Sequence, residues 1–203
     1  AQVDTIIPNL RGYRLWVDDD LRQAFASSED GSSAKLHAAL ALAPVDEEVV
    51  PFLKDQLLTV APENFEAVRH VLHGRREQLI DAYWEIALDK GEAPERRFQA
   101  GCALAGFDPE SVHWPNREFL KFMAGHLVRV RPADFVPWMN ALRPVRQRLL
   151  GPLADIYRDG SQSDEVRGFA TDVLCDYLKD DTDGLFNLLA DAGPPSSSIN
   201  PAA

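Results

Sequence analysis

Apolar residues recur along this chain at intervals of three and four positions, the spacing that places them on one face of an α-helix. One such stripe consists of Leu149, Leu150, Leu153, Ile156 and Tyr157. Another consists of Leu79, Ile80, Tyr83, Ile86 and Ala87. No segment shows the strict alternation of apolar and polar residues that a half-buried strand requires. The pattern predicts an all-α protein.

The stretch from Phe65 to Asp89 is repeated seventy residues later, from Phe135 to Asp159. A series of identities at one lag indicates a duplicated helical unit. The series continues on both sides, from Phe52/Phe122 to Leu104/Leu174. Within the stretch, the identical positions are Phe65/Phe135, Leu72/Leu142, Arg76/Arg146, Leu79/Leu149, Ile86/Ile156 and Asp89/Asp159.

A recurring leucine marks a shorter period inside this unit. The marker leucines are separated by 32, 30, 32, 38 and 32 residues, and they are Leu10, Leu42, Leu72, Leu104, Leu142 and Leu174. We expect each to be the last core residue of a first helix, because a helix-ending residue follows two positions later. Those residues are Gly12, Pro44, Gly74, Gly106, Pro144 and Asp176. A period of about 30–40 residues with two helices per repeat is typical of an α-solenoid.

The markers predict one helical-repeat domain over residues 1–192, an α-solenoid of about six antiparallel helix pairs. The pairs lie near 4–28, 33–60, 63–90, 94–130, 133–160 and 163–191. We expect Pro62 and Pro94 in the first turns of helices, and Pro152 to kink or restart one. The loop Asp108–Asn116 carries about eight extra residues and breaks the period. Residues 193–203 have the composition of a flexible tail.

The composition is that of a globular protein with a strong negative charge. The apolar fraction is 45 %, the charged fraction is 26 % and the formal net charge is −11. This charge disfavours nucleic acid and anionic membranes as partners. The chain has no apolar run of about 18 residues. No basic region followed by an apolar stretch stands at its start, so we expect no signal peptide. Cys102 and Cys175 lie in apolar helices, and we expect them to be buried and reduced, in a cytoplasmic protein.

Charge alternates four residues after successive markers, through Arg14, Asp46, Arg76, Asp108 and Arg146. Two interpretations are open. Equivalent positions of stacked helices lie roughly 10 Å apart, so these side chains are placed to form a ladder of ion pairs between repeats. Alternatively, Asp46 and Asp108 are N-caps of second helices.

Basic residues cluster near the predicted turns between helices. Arg143, Arg146 and Arg148, with Arg75 and Arg76 one unit earlier, either bind an acidic partner or pair with neighbouring carboxylates. In the inserted loop, an exposed tryptophan at position 114 would be a binding anchor. The candidate partner-binding residues are therefore Arg76, Arg146 and Trp114.

His70 and His73 lie three positions apart on one predicted helix, and two imidazoles are half of a tetrahedral zinc site. The duplicated unit has Asn140 and Arg143 at these positions, so we predict no metal. No nucleophile is adjacent to a base, and no glycine-rich loop is present to hold phosphate. We predict no catalytic residue and no cofactor.

Four segments carry a resemblance to a known family. They are YRLWVDDDLR, KLHAALALAPVD, RRFQAGCALAGFDPES and NALRPVRQRLLGPL. They resemble HEAT-like helical repeats, and are similar to the helical-repeat region of large bacterial signalling proteins. In those proteins the region lies beside a serine/threonine kinase domain or a formylglycine-generating-enzyme-like domain. The resemblance covers nearly all of residues 4–192 and implies a HEAT-like, armadillo-type superhelix that acts as a spacer or interaction module. No kinase motif is present, so no catalytic residue carries over.

The function we expect is that of a non-enzymatic scaffold. Its concave surface, lined by the second helices, would bind a protein or position flanking domains of the parent chain. The alternative is a HEAT-repeat enzyme of the DNA glycosylase type. Such an enzyme needs a basic groove for an extruded base, which the net charge disfavours. A mechanical spacer without a partner is the third possibility.

Overall fold

The computed structural model describes residues 14–179, with side chains from Val17 onward, and this part of the chain contains helices and no strand. The all-α class is therefore confirmed. The ten α-helices are α1 (Arg14–Ser27), α2 (Ser33–Leu42), α3 (Val50–Gln56), α4 (Pro62–Leu72), α5 (Ile80–Leu88), α6 (Pro94–Phe107), α7 (Arg117–Leu127), α8 (Pro132–Ala141), α9 (Arg146–Arg158) and α10 (Asp164–Leu178). Short 3₁₀ segments occupy Glu47–Val49, His73–Gln78 and Arg143–Val145.

Several expectations concern residues outside the described part of the chain. They are the marker Leu10, the turn at Arg11–Gly12, the second helix of the sixth pair and the tail over 193–203. Among the helices between residues 14 and 179, none combines the length and the apolar character needed to cross a membrane.

Proline starts three of the helices. Pro62 and Pro94 lie in the first turns of α4 and α6, as predicted, and Pro132 does the same in α8. A first-turn proline is tolerated because its missing N–H would have no partner within the helix. Pro152 lies inside α9, which is continuous from Arg146 to Arg158. Of the two predicted effects of Pro152, a restart of the helix is therefore excluded, and a kink stays a prediction.

The marker leucines are buried, as predicted. Each has at most 1 % of its surface exposed: Leu42, Leu72, Leu104, Leu142 and Leu174. They belong to one continuous apolar core that extends from α2 to α10.

Two of the predicted helix ends are wrong. Leu42 and Leu72 do end α2 and α4. However, α6 continues past Gly106 to Phe107, and α10 continues past Asp176 to Leu178. Gly106 does not have a positive φ, since the described residue with one is Gly31. Its role is therefore not that of a helix-ending turn.

Helix α6 occupies the centre of the described structure. All residues from Ala100 to Ala105 are buried, which means that the helix is covered on every side. It packs against α5, α7 and α8. Because most of these residues are alanine or glycine, neighbouring helices approach closely. A Cβ atom on Gly101 would lie 2.6 Å from the Cε and Sδ atoms of Met123 on α7.

Helices α4 and α8 meet over the C-terminal half of α6. The rings of Phe65 and Trp138 are 4.8 Å apart. Arg69 of α4, which is 8 % exposed, donates from Nη1 to the carbonyl oxygens of Cys102 and Ala141, both at 2.9 Å. Its Nη2 donates to Glu66 at 2.6 Å. One buried guanidinium thus joins three helices.

Gly106 provides the space for this guanidinium. A Cβ atom at position 106 would lie 2.9 Å from Cζ and Nη1 of Arg69. The Arg69 side chain cannot easily move aside, because its hydrogen bonds to α6 and α8 fix it. A glycine is therefore required here by the close approach of a side chain.

The duplicated unit repeats its hydrogen bonds as well as its sequence. Nε of Arg97 donates to the carbonyl of Ala87 at 3.3 Å, and Nε of Arg167 donates to that of Tyr157 at 3.1 Å. Both bonds link the start of a first helix to the end of the preceding second helix. The equivalent carboxylates of Asp89 and Asp159 each accept from a backbone N–H two residues later, at 2.8 and 3.0 Å.

The two cysteines differ in exposure. Cys102 is buried and Cys175 is exposed, and both are free thiols. The expectation that both are buried is therefore wrong for Cys175, whose side chain lies on the outer face of α10. Burial raises the pKa of the Cys102 thiol well above its usual value, which suppresses the reactive thiolate.

We predict that Gly106→Ala destabilises the protein by about 1–3 kcal/mol, because the added methyl displaces Arg69. The measurement is urea unfolding. The matched control is Gly168→Ala in α10, where nothing lies within 4 Å of the added Cβ. That change should stabilise the helix by about 0.5–1 kcal/mol. Equal effects of the two substitutions would contradict the close approach at Gly106.

We also predict that a thiol reagent such as Ellman's reagent labels Cys175 in the native protein and Cys102 after unfolding. The Cys175→Ser variant should lose the fast reaction, whereas Cys102→Ser should keep it. Fast labelling of both thiols in the folded protein would contradict the burial of Cys102.

Candidate interaction site

The C-terminal ends of alternate helices lie along one edge of the molecule. Arg75, just after α4, reaches the carbonyl of Ala43, just after α2, at 3.4 Å. The ring of His73 is 6.2 Å from that of Phe107, the last residue of α6. Arg69 connects α4 to the end of α8, as described above. Asp176, in the last turn of α10, binds Arg143.

Basic side chains collect along this edge. We call Arg75, Arg76, Arg143, Arg146 and Arg148 the arginine edge. They lie in or next to the 3₁₀ segments that connect the first helices to α5 and α9. Carbonyl groups without an intrahelical partner make a helix C-terminus negative. Positive side chains are favourable beside such ends, which is a physical reason for arginines at this edge.

Carboxylates pair with three of these arginines. Arg75 forms a two-pronged contact with Glu47, in which Nε donates to Oε2 at 3.1 Å and Nη2 donates to Oε1. The Arg75 guanidinium lowers the pKa of Glu47. Arg143 binds Asp176 at 2.5 Å, and Arg148 binds Glu110 at 3.2 Å.

Arg76 and Arg146 differ from the other three. Within residues 14–179 neither has a carboxylate at ion-pair distance. Arg76 donates from Nη1 to the carbonyl of His73 at 3.3 Å, which leaves its charge uncompensated. These two arginines are also equivalent in the duplicated unit. The edge therefore carries two unneutralised guanidinium groups, one in each copy.

The predicted ladder of charges is not formed by the described side chains. Asp46 instead accepts from the backbone N–H of Glu48 at 3.0 Å, which confirms its role as an N-cap, and binds Arg22 at 3.0 Å. Both contacts lower the pKa of Asp46. Arg14 belongs to the residues whose side chains are not described.

Asp108, the other predicted N-cap, instead follows the C-terminus of α6. Its Oδ2 accepts from Nε1 of Trp84 at 3.0 Å, and its carbonyl accepts from Nε1 of Trp114 at 2.9 Å. The interpretation of Asp108 as an N-cap is wrong. The residue connects the inserted loop to α5.

Trp114 lies in the core and not on the surface. It is fully buried, at 0 % exposure, and its ring is 5.2 Å from Trp84 and 5.7 Å from Phe119. The condition for a binding anchor, an exposed ring, is therefore not met. The exposed apolar residue of this loop is Val112, at 87 %.

His70 lies in the last turn of α4, and His73 is the first residue of the 3₁₀ segment that follows, not part of the same helix. His70 and His73 are exposed. Among residues 14–179, no three His, Cys, Asp or Glu side chains are grouped in a way that could hold a metal ion.

The sequence analysis missed a cleft at the opposite edge of the molecule. It has a volume of about 460 Å³ and lies between the starts of α4, α6 and α8 and the end of α7. Gln99 and His126 are among its lining residues. One signal was present in the sequence, since Gln99 is the polar residue of the otherwise apolar stretch from Phe98 to Phe107.

The chain matches no protein-family model, no curated protein and no solved structure. The resemblance to HEAT-like repeats therefore rests on the residues and on the duplicated pattern.

We predict that Asp108→Ala destabilises the protein by about 1–2 kcal/mol, because the indole N–H of Trp84 loses its acceptor in a buried position. Asp108→Asn keeps an acceptor oxygen and should cost less. Chemical denaturation measures both. If asparagine costs as much as alanine, the charge of Asp108 matters more than its hydrogen bond, and the assignment is wrong.

Proposed function

We propose that this chain is a non-enzymatic, HEAT-like interaction module that binds an acidic segment of a protein along the arginine edge. The stacking of about six helix pairs into a solenoid is part of this proposal, with the direct contact between α4 and α8 past α6 as its departure from a linear array. A place in a larger bacterial signalling protein is part of it too. The segments that resemble the repeat regions of such proteins support both. The partner is another protein or a flanking domain of the same chain.

One observation carries the proposal: among the described residues, Arg76 and Arg146 stand on the same edge without carboxylate partners. The chain has a net charge of −11, so intramolecular carboxylates are abundant. Three neighbouring arginines, Arg75, Arg143 and Arg148, form ion pairs with such carboxylates. A guanidinium group binds carboxylates with paired, charge-assisted hydrogen bonds. Two such groups at equivalent positions suit an extended segment with acidic side chains.

The edge also fits the expected involvement of the second helices. Arg76 precedes α5, and Arg146 is the first residue of α9. A partner on this edge would therefore contact the starts of the second helices. A duplex-binding protein places many cations along a groove, and two unneutralised arginines do not make one. A spacer without a partner would show no binding of an acidic peptide.

The proposal predicts binding of a fluorescein-labelled peptide of alternating glutamate and glycine, measured by fluorescence anisotropy at low salt. The double variant Arg76→Glu/Arg146→Glu should weaken binding by about tenfold or more, because two attractions become repulsions. Higher salt should weaken binding to the wild-type protein, since Arg146 is exposed and Arg76 is half-buried, so that solvent ions screen both charges.

The matched control is Arg131→Glu/Arg158→Glu. These arginines lie at the other ends of α8 and α9, so the control has the same change in net charge away from the arginine edge. It should bind the peptide nearly as well as the wild type. Equal weakening in both variants would show a nonspecific charge effect and contradict the proposal. Absence of peptide binding to the wild-type protein, or tighter binding of duplex DNA, would also contradict it.

A further inference from the structure

The three ion pairs of the arginine edge differ in the number of contacts that hold them. Arg75 binds both carboxylate oxygens of Glu47. Arg143 binds Asp176, a half-buried carboxylate whose side chain is 27 % exposed, and its guanidinium also lies over the ring of Tyr177. Several contacts would have to break before an external carboxylate could replace either of these two partners.

Arg148 is held by a single contact. Among the described residues, its guanidinium makes one hydrogen bond, from Nη2 to Oε2 of Glu110 at 3.2 Å. The side chain of Glu110 is 89 % exposed, whereas that of Arg148 is half-buried. A single contact to an exposed carboxylate contributes little to stability, because water solvates the separated groups well. This pair can therefore open at small cost.

The base of the inserted loop is fixed independently of this pair. Oδ2 of Asp108 accepts from Nε1 of Trp84, and the carbonyl of Asp108 accepts from Nε1 of the buried Trp114. Asn116 caps α7 by accepting from two of its backbone N–H groups at 3.1 Å. Glu110 lies between these fixed points, so its side chain can rotate away from the edge without unfolding of the loop.

The additional arginine and the inserted loop occur in the same copy of the duplicated unit. Position 148 corresponds to the uncharged Gln78 in the first copy. The loop precedes α7, which corresponds to α3 in the first copy, and the connection before α3 has no insertion. The second copy thus has one more guanidinium at the edge and one more carboxylate opposite it.

Arg148 lies two positions after Arg146, in the first turn of α9. Side chains two positions apart do not share one face of a helix, so a segment that contacts both must cross the start of α9. The start of a helix carries partial positive charge, and α9 begins without a side-chain cap. A path across this helix start is therefore favourable for an acidic segment.

We infer that Arg148 is a third arginine that contacts the acidic partner, and that Glu110 occupies its place in the free protein. Glu110 is an internal competitor, which a carboxylate of the partner displaces when the segment binds Arg76 and Arg146. This inference rests on the proposed function, since it concerns the same edge and the same partner. It adds that the partner carries at least three carboxylates and that the inserted loop limits its affinity.

The experiment measures binding of the fluorescein-labelled glutamate–glycine peptide to the full chain by fluorescence anisotropy at low salt. Glu110→Gln should tighten binding by about two- to fivefold, the range of one exposed ion pair, because the peptide no longer has to displace a carboxylate. In the Arg148→Gln background the same change should have no such effect, since the group for which Glu110 competes is absent.

The matched control is Glu77→Gln. It removes the same charge at an exposed position of the same edge, next to Arg76, and Glu77 forms no ion pair with any residue between 14 and 179. Its effect on binding comes only from the general field of the edge. It should therefore be the same with and without Arg148→Gln. Circular dichroism checks that each variant is folded.

The outcomes separate this inference from the proposed function. Binding by the wild type that is weakened by Arg76→Glu/Arg146→Glu supports the arginine edge. If Glu110→Gln then gives no tightening, or tightens binding equally in the Arg148→Gln background, the internal competitor is excluded and the arginine edge stands. Absence of peptide binding to the wild-type protein would overturn both.

Discussion

The described structure depends on one buried side chain, Arg69, and on the carbonyl groups it binds. Transfer of a guanidinium from water into a core is costly unless its donors are satisfied. Here the donors reach the carbonyls of Cys102 and Ala141 and the carboxylate of Glu66. The Ala141 carbonyl is at the end of α8, where it has no partner within its helix. The buried guanidinium therefore gains an acceptor, and the terminal carbonyl of α8 gains a donor.

That arrangement explains the composition of α6. The side chain of Arg69 can extend from α4 past α6 to α8 only where α6 has small side chains. Gly106 leaves the space that Arg69 fills, and the buried alanines allow α4 and α8 to approach each other. Between Ala100 and Gly106 the one large side chain of α6 is that of Leu104, so its neighbours supply much of the core there. Phe65, Trp138 and Met123 are examples.

Local rules predicted the local features correctly. The period of the leucines located the core, and the prolines at 62 and 94 located two helix starts, because both signals act within one helix. The errors concern contacts between distant parts of the chain. Gly106 looked like a helix end, although its role depends on Arg69, 37 positions earlier. Trp114 looked exposed because it lies in a loop, although Asp108 and Trp84 hold it in the core.

The arginine edge and the cleft show the same limit. A basic cluster can be seen in the sequence, and Arg76 and Arg146 are members of it. Which of its five arginines lack a carboxylate follows only from the positions of Glu47, Glu110 and Asp176 in space. The cleft is harder still, because its lining residues come from four helices and no short segment contains them.

The contact between α4 and α8 has a consequence for how such a chain can change in length. In a linear array, each repeat touches its immediate neighbours, and one repeat can be inserted or deleted at little cost. Arg69 instead reaches across α6 to the end of α8. Deleting the segment between them would remove both the glycine that admits the guanidinium and the carbonyl of Cys102. The segment from α4 to α8 would therefore unfold as one cooperative unit. It would also be retained or lost as a whole when the chain changes in length.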